Sequence, residues 1–200
     1  MTLIFIKFLT LGNQHMSGYF PHNVDDYVHS GPLQLVWSET SGLCQLGHSF
    51  SSDYMYGDNY GYRSGLNASM VQHLQDIARS LEALSDLQNG DYVLDIGRND
   101  ATFLNSFSVL NLNKFGIDPS ARKFQSFYKA DPILCDCFFS ADQYFAVASK
   151  PSKLITSIAM FYDLNDPIEF AKDIKKMLAH KRHLAFRAIL LACHAQNELI

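Results

Sequence analysis

Carboxylates recur at the ends of apolar runs, where they could meet a nucleoside. D-Y-V-L-D-I-G-R-N-D-A-T-F-L, residues 91–104, closes one run on Asp95 and follows it with Gly97. A glycine there lets the backbone take a positive φ and come close to a ligand. K-F-G-I-D, residues 114–118, closes the next run on Asp118. A carboxylate at that point can accept from both hydroxyls of a ribose, which N–H donors cannot do. Asp136 ends a third run and can accept from an adenine amino group, and Met160 to Asp163 follow a fourth. The competing reading is that these acids only cap the helices that come next.

The turn after Asp95 reads G-R-N-D-A. It lacks the G-x-G-x-x-G fingerprint that seats a pyrophosphate on a helix N-terminus. Arg98 and Asp100 oppose close packing of two phosphates. S-adenosylmethionine carries no phosphate and fits this turn better than NAD; an NAD-type oxidoreductase ranks last.

The elements that must position these residues follow from periodicity. Asn67 is a good N-cap, and Met70, Leu74, Ile77, Leu81 and Leu84 recur at helical spacing after it. Asn89-Gly90 is a turn. Strands are then predicted over 92–96, 114–118, 132–135 and 153–160. Helices are predicted over 102–110, from Pro119 to 128, over 141–148 and from Pro167 to 178. Strands alternating with helices imply an α/β fold, a parallel sheet with helices on both faces, whose ligand crevice lies beyond the carboxyl ends of the strands. Residues 1–60 are irregular, with strand-like pieces at 3–11 and 33–37.

Composition sets limits. Two hundred residues with 48% apolar content allow one ordinary domain and a small appendage. Charged residues are 18% and the net charge is −4, which argues against a nucleic-acid binder. Cys44, Cys135, Cys137 and Cys193 show no disulfide framework, which points to a reducing cytoplasm. M-T-L-I-F-I-K-F-L-T-L-G reads as a strand rather than a signal segment, and no run is long enough for a membrane span.

Four stretches carry a resemblance. M-Y-G-D-N-Y-G-Y-R-S-G-L-N-A-S-M-V-Q-H-L, V-L-D-I-G-R-N-D-A-T-F-L, K-F-G-I-D-P-S and I-T-S-I-A-M-F-Y-D-L-N-D-P resemble the bacterial nucleotide-sugar C-methyltransferases. The similarity runs from about residue 9 to 178 and is dense over 54–70 and 92–119. It implies a Rossmann-like S-adenosylmethionine domain behind a small zinc domain, acting on a nucleotide-linked keto-sugar. It assigns Asp95, Gly97 and Asn99 to the cofactor loop, Asp118 to the ribose, and Tyr60, Tyr62 and Arg63 to a segment over the cofactor and sugar pocket. Asp136 and Met160 complete the cofactor set by their strand-end positions. In that family's loop, D-I-G-S-N-D-G, this chain has Arg98 for serine and Ala101 for the last glycine. The His–Glu stretch associated with the family's base has no match here.

The zinc pattern L-V-x-C-x-x-C-G-L is matched by L-V-W-S-E-T-S-G-L, so Ser38 and Ser41 replace cysteines. Serine is a poor zinc ligand, and the expectation is no metal. An improvised site of Cys44 with His22, His29 or His48 is the lesser alternative.

The tail, H-L-A-F-R-A-I-L-L-A-C-H-A-Q-N-E-L-I, favours helix by composition and does not resemble the family. One permitted coding of 181–200, read one base on, begins N-G-I-W-H-F-E-Q-S-Y, similar to the family's continuation. The expectation is therefore a degenerate remnant over 1–60, a cofactor domain over 61–180 with about four strands, and an out-of-frame tail over 181–200. Two functions remain open. One is a keto-sugar C-methyltransferase. The other is a truncated, inactive relative with at most weak cofactor binding. The expected partner is a nucleotide-linked sugar, with no nucleic acid and no membrane.

Overall fold

The structure is a computed structural model that describes residues 4–57, 60–127 and 132–187. Its contacts divide the chain between Tyr62 and Arg63.

The first unit is built on a three-stranded antiparallel sheet. β1 (Ile6–His15) pairs with β2 (Ser30–Trp37), which pairs with β3 (Cys44–Leu46). The β1 register slips between Lys7 and Leu9 and again between Thr10 and Asn13. The second slip includes Gly12, which has a φ of 71°. A short helix, α1 (Ser52–Tyr56), follows. The predicted pieces at 3–11 and 33–37 fall on β1 and β2; β3 and α1 carry no strong periodicity.

The second unit opens on α2 (Ala68–Ser85). Asn67 caps it by accepting from the Ser69 N–H at 2.9 Å. Leu74, Ala78 and Leu81 face the core one turn apart. Then come β4 (Tyr92–Ile96), β5 (Asn113–Ile117), β6 (Ile133–Cys135), α3 (Ala141–Val147), β7 (Ser152–Ile158), α4 (Pro167–Met177) and β8 (Leu178–Arg187). Every strand pair in this unit is parallel, in the spatial order β6-β5-β4-β7-β8. The sheet is therefore of the doubly wound, Rossmann-like type, reversing direction at β4.

Side chains alternate across this sheet. Val93 and Leu154 face α2 and pack with Leu74, Leu81 and Phe103. Leu94, Ile96 and Ile155 face the other way, onto Tyr144, Phe170 and Ile174. By the same alternation Asp95 shares the α2 face with Val93. Ser140 caps α3, and Asp166 followed by Pro167 starts α4.

Three predicted elements differ. The helix expected over 102–110 is only a 3₁₀ turn at Leu104–Ser106. Asp100 takes the Thr102 N–H and hydroxyl before that turn, and the Glu82 carboxylate takes the N–H groups of Ser108 and Val109 after it. The helix expected after Pro119 is 3₁₀ over Ala121–Phe127. The tail gives the largest correction. Residues 178–187 form a fifth strand, not a helix after a fourth, and the β7 edge is covered. Leu184 pairs with Ile155 and Ala185 with Thr156. Leu184 joins the α4-side core and Ala185 the α2-side core, a period of two that outweighs helical composition. The rest of the tail, 188–200, lies outside the described residues. Among the described residues no helix is long and apolar enough to cross a membrane.

Candidate functional site

The strand ends bring Asp95, Gly97, Asn99, Asp118, Asp136 and Met160 to one edge of the second unit. β4 ends on Asp95-Ile96, and the Gly97 N–H donates to the Ile117 carbonyl at 2.9 Å. This ties the turn to the end of β5. Gly97 has a φ of 78°, and a Cβ there would meet Met160 Cγ at 3.3 Å. The glycine is thus required both for the turn and for Met160 to lie against it. Asn99 also takes a positive φ, 51°, which asparagine tolerates.

Asp118 is held from three directions. Its Oδ2 accepts from the Asn99 N–H at 2.8 Å; its Oδ1 accepts from the Ser120 N–H and hydroxyl, each at 2.7 Å. The turn after β4 and the acid after β5 therefore form one joined platform. Asp95 lies behind it, only 3% exposed, and its Oδ1 accepts from the Thr156 hydroxyl at 2.8 Å. Burial pushes the Asp95 carboxyl up to about 7. The Thr156 hydrogen bond opposes the shift, the Asp118 charge adds to it and the Arg98 charge subtracts from it.

Arg98 does not face a ligand. Its side chain has no exposed surface, and its Nη2 donates to Asp136 Oδ1 at 2.6 Å. To get there it lies flat across β5: a Cβ on Gly116 would sit 2.1 Å from Arg98 Cδ. Asp136 Oδ2 meets Gln125 Nε2 at 3.4 Å. The thiols of Cys135 and Cys137, on either side, are raised by burial.

The loop after β4 also organises the start of the unit. Asn99 Oδ1 accepts from the Ser64 N–H at 2.9 Å, and Asp100 Oδ2 from the Gly65 N–H at 2.8 Å. Arg63 stacks its guanidinium 3.8 Å from the Phe127 ring centre, with Nη1 3.9 Å from Asp100 Oδ2. Arg63, Gly65, Gln75, Asp100, Thr102 and Phe127 line part of a cleft of about 290 Å³. The other two residues of the predicted sugar segment, Tyr60 and Tyr62, belong to the first unit. Tyr60 pairs with Tyr19 and sets its ring 5.5 Å from that of Tyr56; Tyr62 is half exposed.

In the first unit Ser38 is fully buried and its hydroxyl has no hydrogen-bond partner. The turn is closed by its own groups, Ser38 N–H to the Leu43 carbonyl at 2.9 Å and Leu43 N–H to Ser41 Oγ at 3.3 Å. His29 stacks between Tyr27 and Tyr54, His48 sits on Phe50, and Cys44 is exposed. Among the described residues no three potential ligands gather for a metal.

Thr156, Ser120 and Gly116 are site residues that motif reading passes over. Gly116 had a signal: an isolated glycine inside a buried strand marks close approach by another group.

This fold, with acids and a glycine turn at the carboxyl edge, is the Rossmann-like fold of methyltransferase domains. The pattern that defines the methyltransferase-domain family matches residues 70–200, and the chain belongs to that family. No curated protein matches it. Among solved structures it is similar to the plantazolicin methyltransferase BpumL in complex with a pentazolic analogue and SAH. That match has 17% identity and a TM-score of 0.42, and covers 55% of this chain and 42% of that one. It is also similar to precorrin-6y C5,15-methyltransferase from Geobacter metallireducens, with 14% identity, a TM-score of 0.45, and 66% and 68% of the two chains covered. A third is precorrin 8W decarboxylase of Methanobacterium thermoautotrophicum, with 13% identity, a TM-score of 0.46, and 61% and 67% covered. The chain thus spans less than half the length of the first of these.

Proposed function

We propose that the second unit binds S-adenosylmethionine at the carboxyl edge of its sheet, as the donor-binding part of a C-methyltransferase for a nucleotide-linked keto-sugar. The observation that carries the cofactor reading is the platform joining Gly97, Asn99 and Asp118. A carboxylate offers about four acceptor positions. Asp118 uses two on Oδ1 and one on Oδ2, which leaves one for a ribose hydroxyl. The keto-sugar rests on the resemblance of 54–70, 92–119 and the end of β7. The donor supplies an electrophilic methyl group. Transfer to carbon requires loss of a proton next to the keto group and support for the enolate oxygen. Of the residues the resemblance gives to the sugar, Arg63 belongs to the second unit and is the candidate for positioning it.

A second, non-catalytic reading is favoured by one observation: Asp95, Asp118 and Asp136 each already hold protein donors. Such a relative binds the cofactor weakly and transfers nothing.

Calorimetry on the whole chain tests the cofactor. S-adenosylmethionine and its demethylated product are expected to bind, Asp118→Asn to weaken binding in a folded protein, and NAD to give no heat. Tight NAD binding without S-adenosylmethionine binding overturns the proposal. Labelled methyl transfer to a nucleotide-linked keto-sugar separates the two readings: incorporation supports the enzyme, and binding without incorporation supports the inactive relative.

A further inference from the structure

We infer that Arg98 sets the affinity and the base selectivity of the nucleoside site, because its guanidinium holds the Asp136 oxygen to which an adenine amino group would donate. This rests on the cofactor reading above. Three observations carry it. Arg98 is buried and paired with Asp136 Oδ1 at 2.6 Å. Its stem fills the space over β5, with Cδ 2.1 Å and Nε 3.1 Å from where a Gly116 Cβ would be. The neighbouring Asn99, Asp118 and Ser120 are each under a tenth exposed. The gap between the ends of β5 and β6, across which a nucleoside would reach from Asp118 to Asp136, is therefore occupied by protein.

A ligand that sets its base against Asp136 must first displace a buried cation. Separating the pair leaves two charges to be hydrated or paired again. Apparent affinity falls by the fraction of molecules in which the arginine has left. Gln125 faces the other oxygen, Oδ2, at 3.4 Å. Removing the guanidinium frees one hydrogen bond to a charged acceptor, equivalent to roughly tenfold in binding.

The test is calorimetry with S-adenosylhomocysteine and with its analogue carrying hypoxanthine in place of adenine. Hypoxanthine presents a carbonyl where adenine presents the amino group, so it cannot donate to Asp136. The folded Arg98→Ala chain is expected to bind the adenine ligand roughly tenfold more tightly than the natural chain, with little gain for the hypoxanthine ligand. Should Asp136 left alone prevent folding, Arg98→Ala combined with Asp136→Asn is measured instead: an asparagine amide accepts from the adenine amino group and donates to the hypoxanthine carbonyl, so both ligands are expected to gain over the natural chain, and no gain for either overturns the inference. Unchanged affinity in the folded variant overturns the inference while leaving the cofactor reading intact. Equal gains for both bases in the single variant, which keeps the acceptor-only carboxylate, also overturn it, because the arginine would then act by bulk alone. If neither chain binds either ligand, the inference and the cofactor reading fall together.

Discussion

At the scale of single residues, two buried groups control the edge of the sheet. Asp95 has a folded-state carboxyl near 7, raised chiefly by burial. In the unfolded chain an aspartate titrates near its ordinary value of about 3.9. Between those values the folded protein holds a proton that the unfolded chain has lost. Folding stability therefore falls as pH rises from about 4 to about 7 and levels off above. The contribution is on the order of 4 kcal/mol at most. Urea titrations over this range should show the slope, and Asp95→Asn, which still accepts from Thr156, should flatten it. An unchanged slope would reassign the effect to another group. Gly116 is the second point of control. Gly116→Ala drives a methyl into the Arg98 stem and should cost about 1–3 kcal/mol. The cost should largely vanish when Arg98→Ala is made as well. Additive costs in that double-mutant cycle would show that the arginine is not what the glycine makes room for.

At the scale of elements, the tail and the first hairpin make opposite points. β8 covers the β7 edge with an alternating pattern, so amides of Leu154 to Ile158 that face it should exchange slowly with solvent. Fast exchange there, with slow exchange in β4, would mean that β8 does not form. The turn between β2 and β3 stands where a zinc site was expected to have lost its thiolates. Ser38 buries a hydroxyl that has no hydrogen-bond partner, and Ser41 satisfies a backbone N–H instead. The purified chain should carry no stoichiometric zinc, and Ser38→Ala should raise stability by about 1 kcal/mol by removing a buried unpaired hydroxyl. One zinc per chain by elemental analysis refutes the first part.

At the scale of the whole molecule, binding and folding are linked. A ligand specific for the folded state at about one hundred times its dissociation constant adds about 2.7 kcal/mol to stability. S-adenosylhomocysteine should therefore raise the unfolding midpoint in a concentration-dependent way, and NAD at equal concentration should not. A rise with NAD alone would redirect the site to a dinucleotide.

The order of β4, β5, β6 and β7, the acids at their ends, the α2 cap at Asn67 and the glycine turn were all legible in the sequence. Each depends on local period or on a single residue's conformational freedom, and such signals need no partner to be read. The fates of Arg98, Asp136 and the tail were decided only in three dimensions. Arg98 reads as a cation beside a ligand until Gly116, on the next strand, leaves it a channel to Asp136. Residues 183–187 open a tail of helix-favouring composition, but an open β7 edge and two apolar faces draw them into the sheet. Pairing across distant segments satisfies backbone donors and buries side chains together, and that gain exceeds the few tenths of a kcal/mol per residue on which local propensity turns.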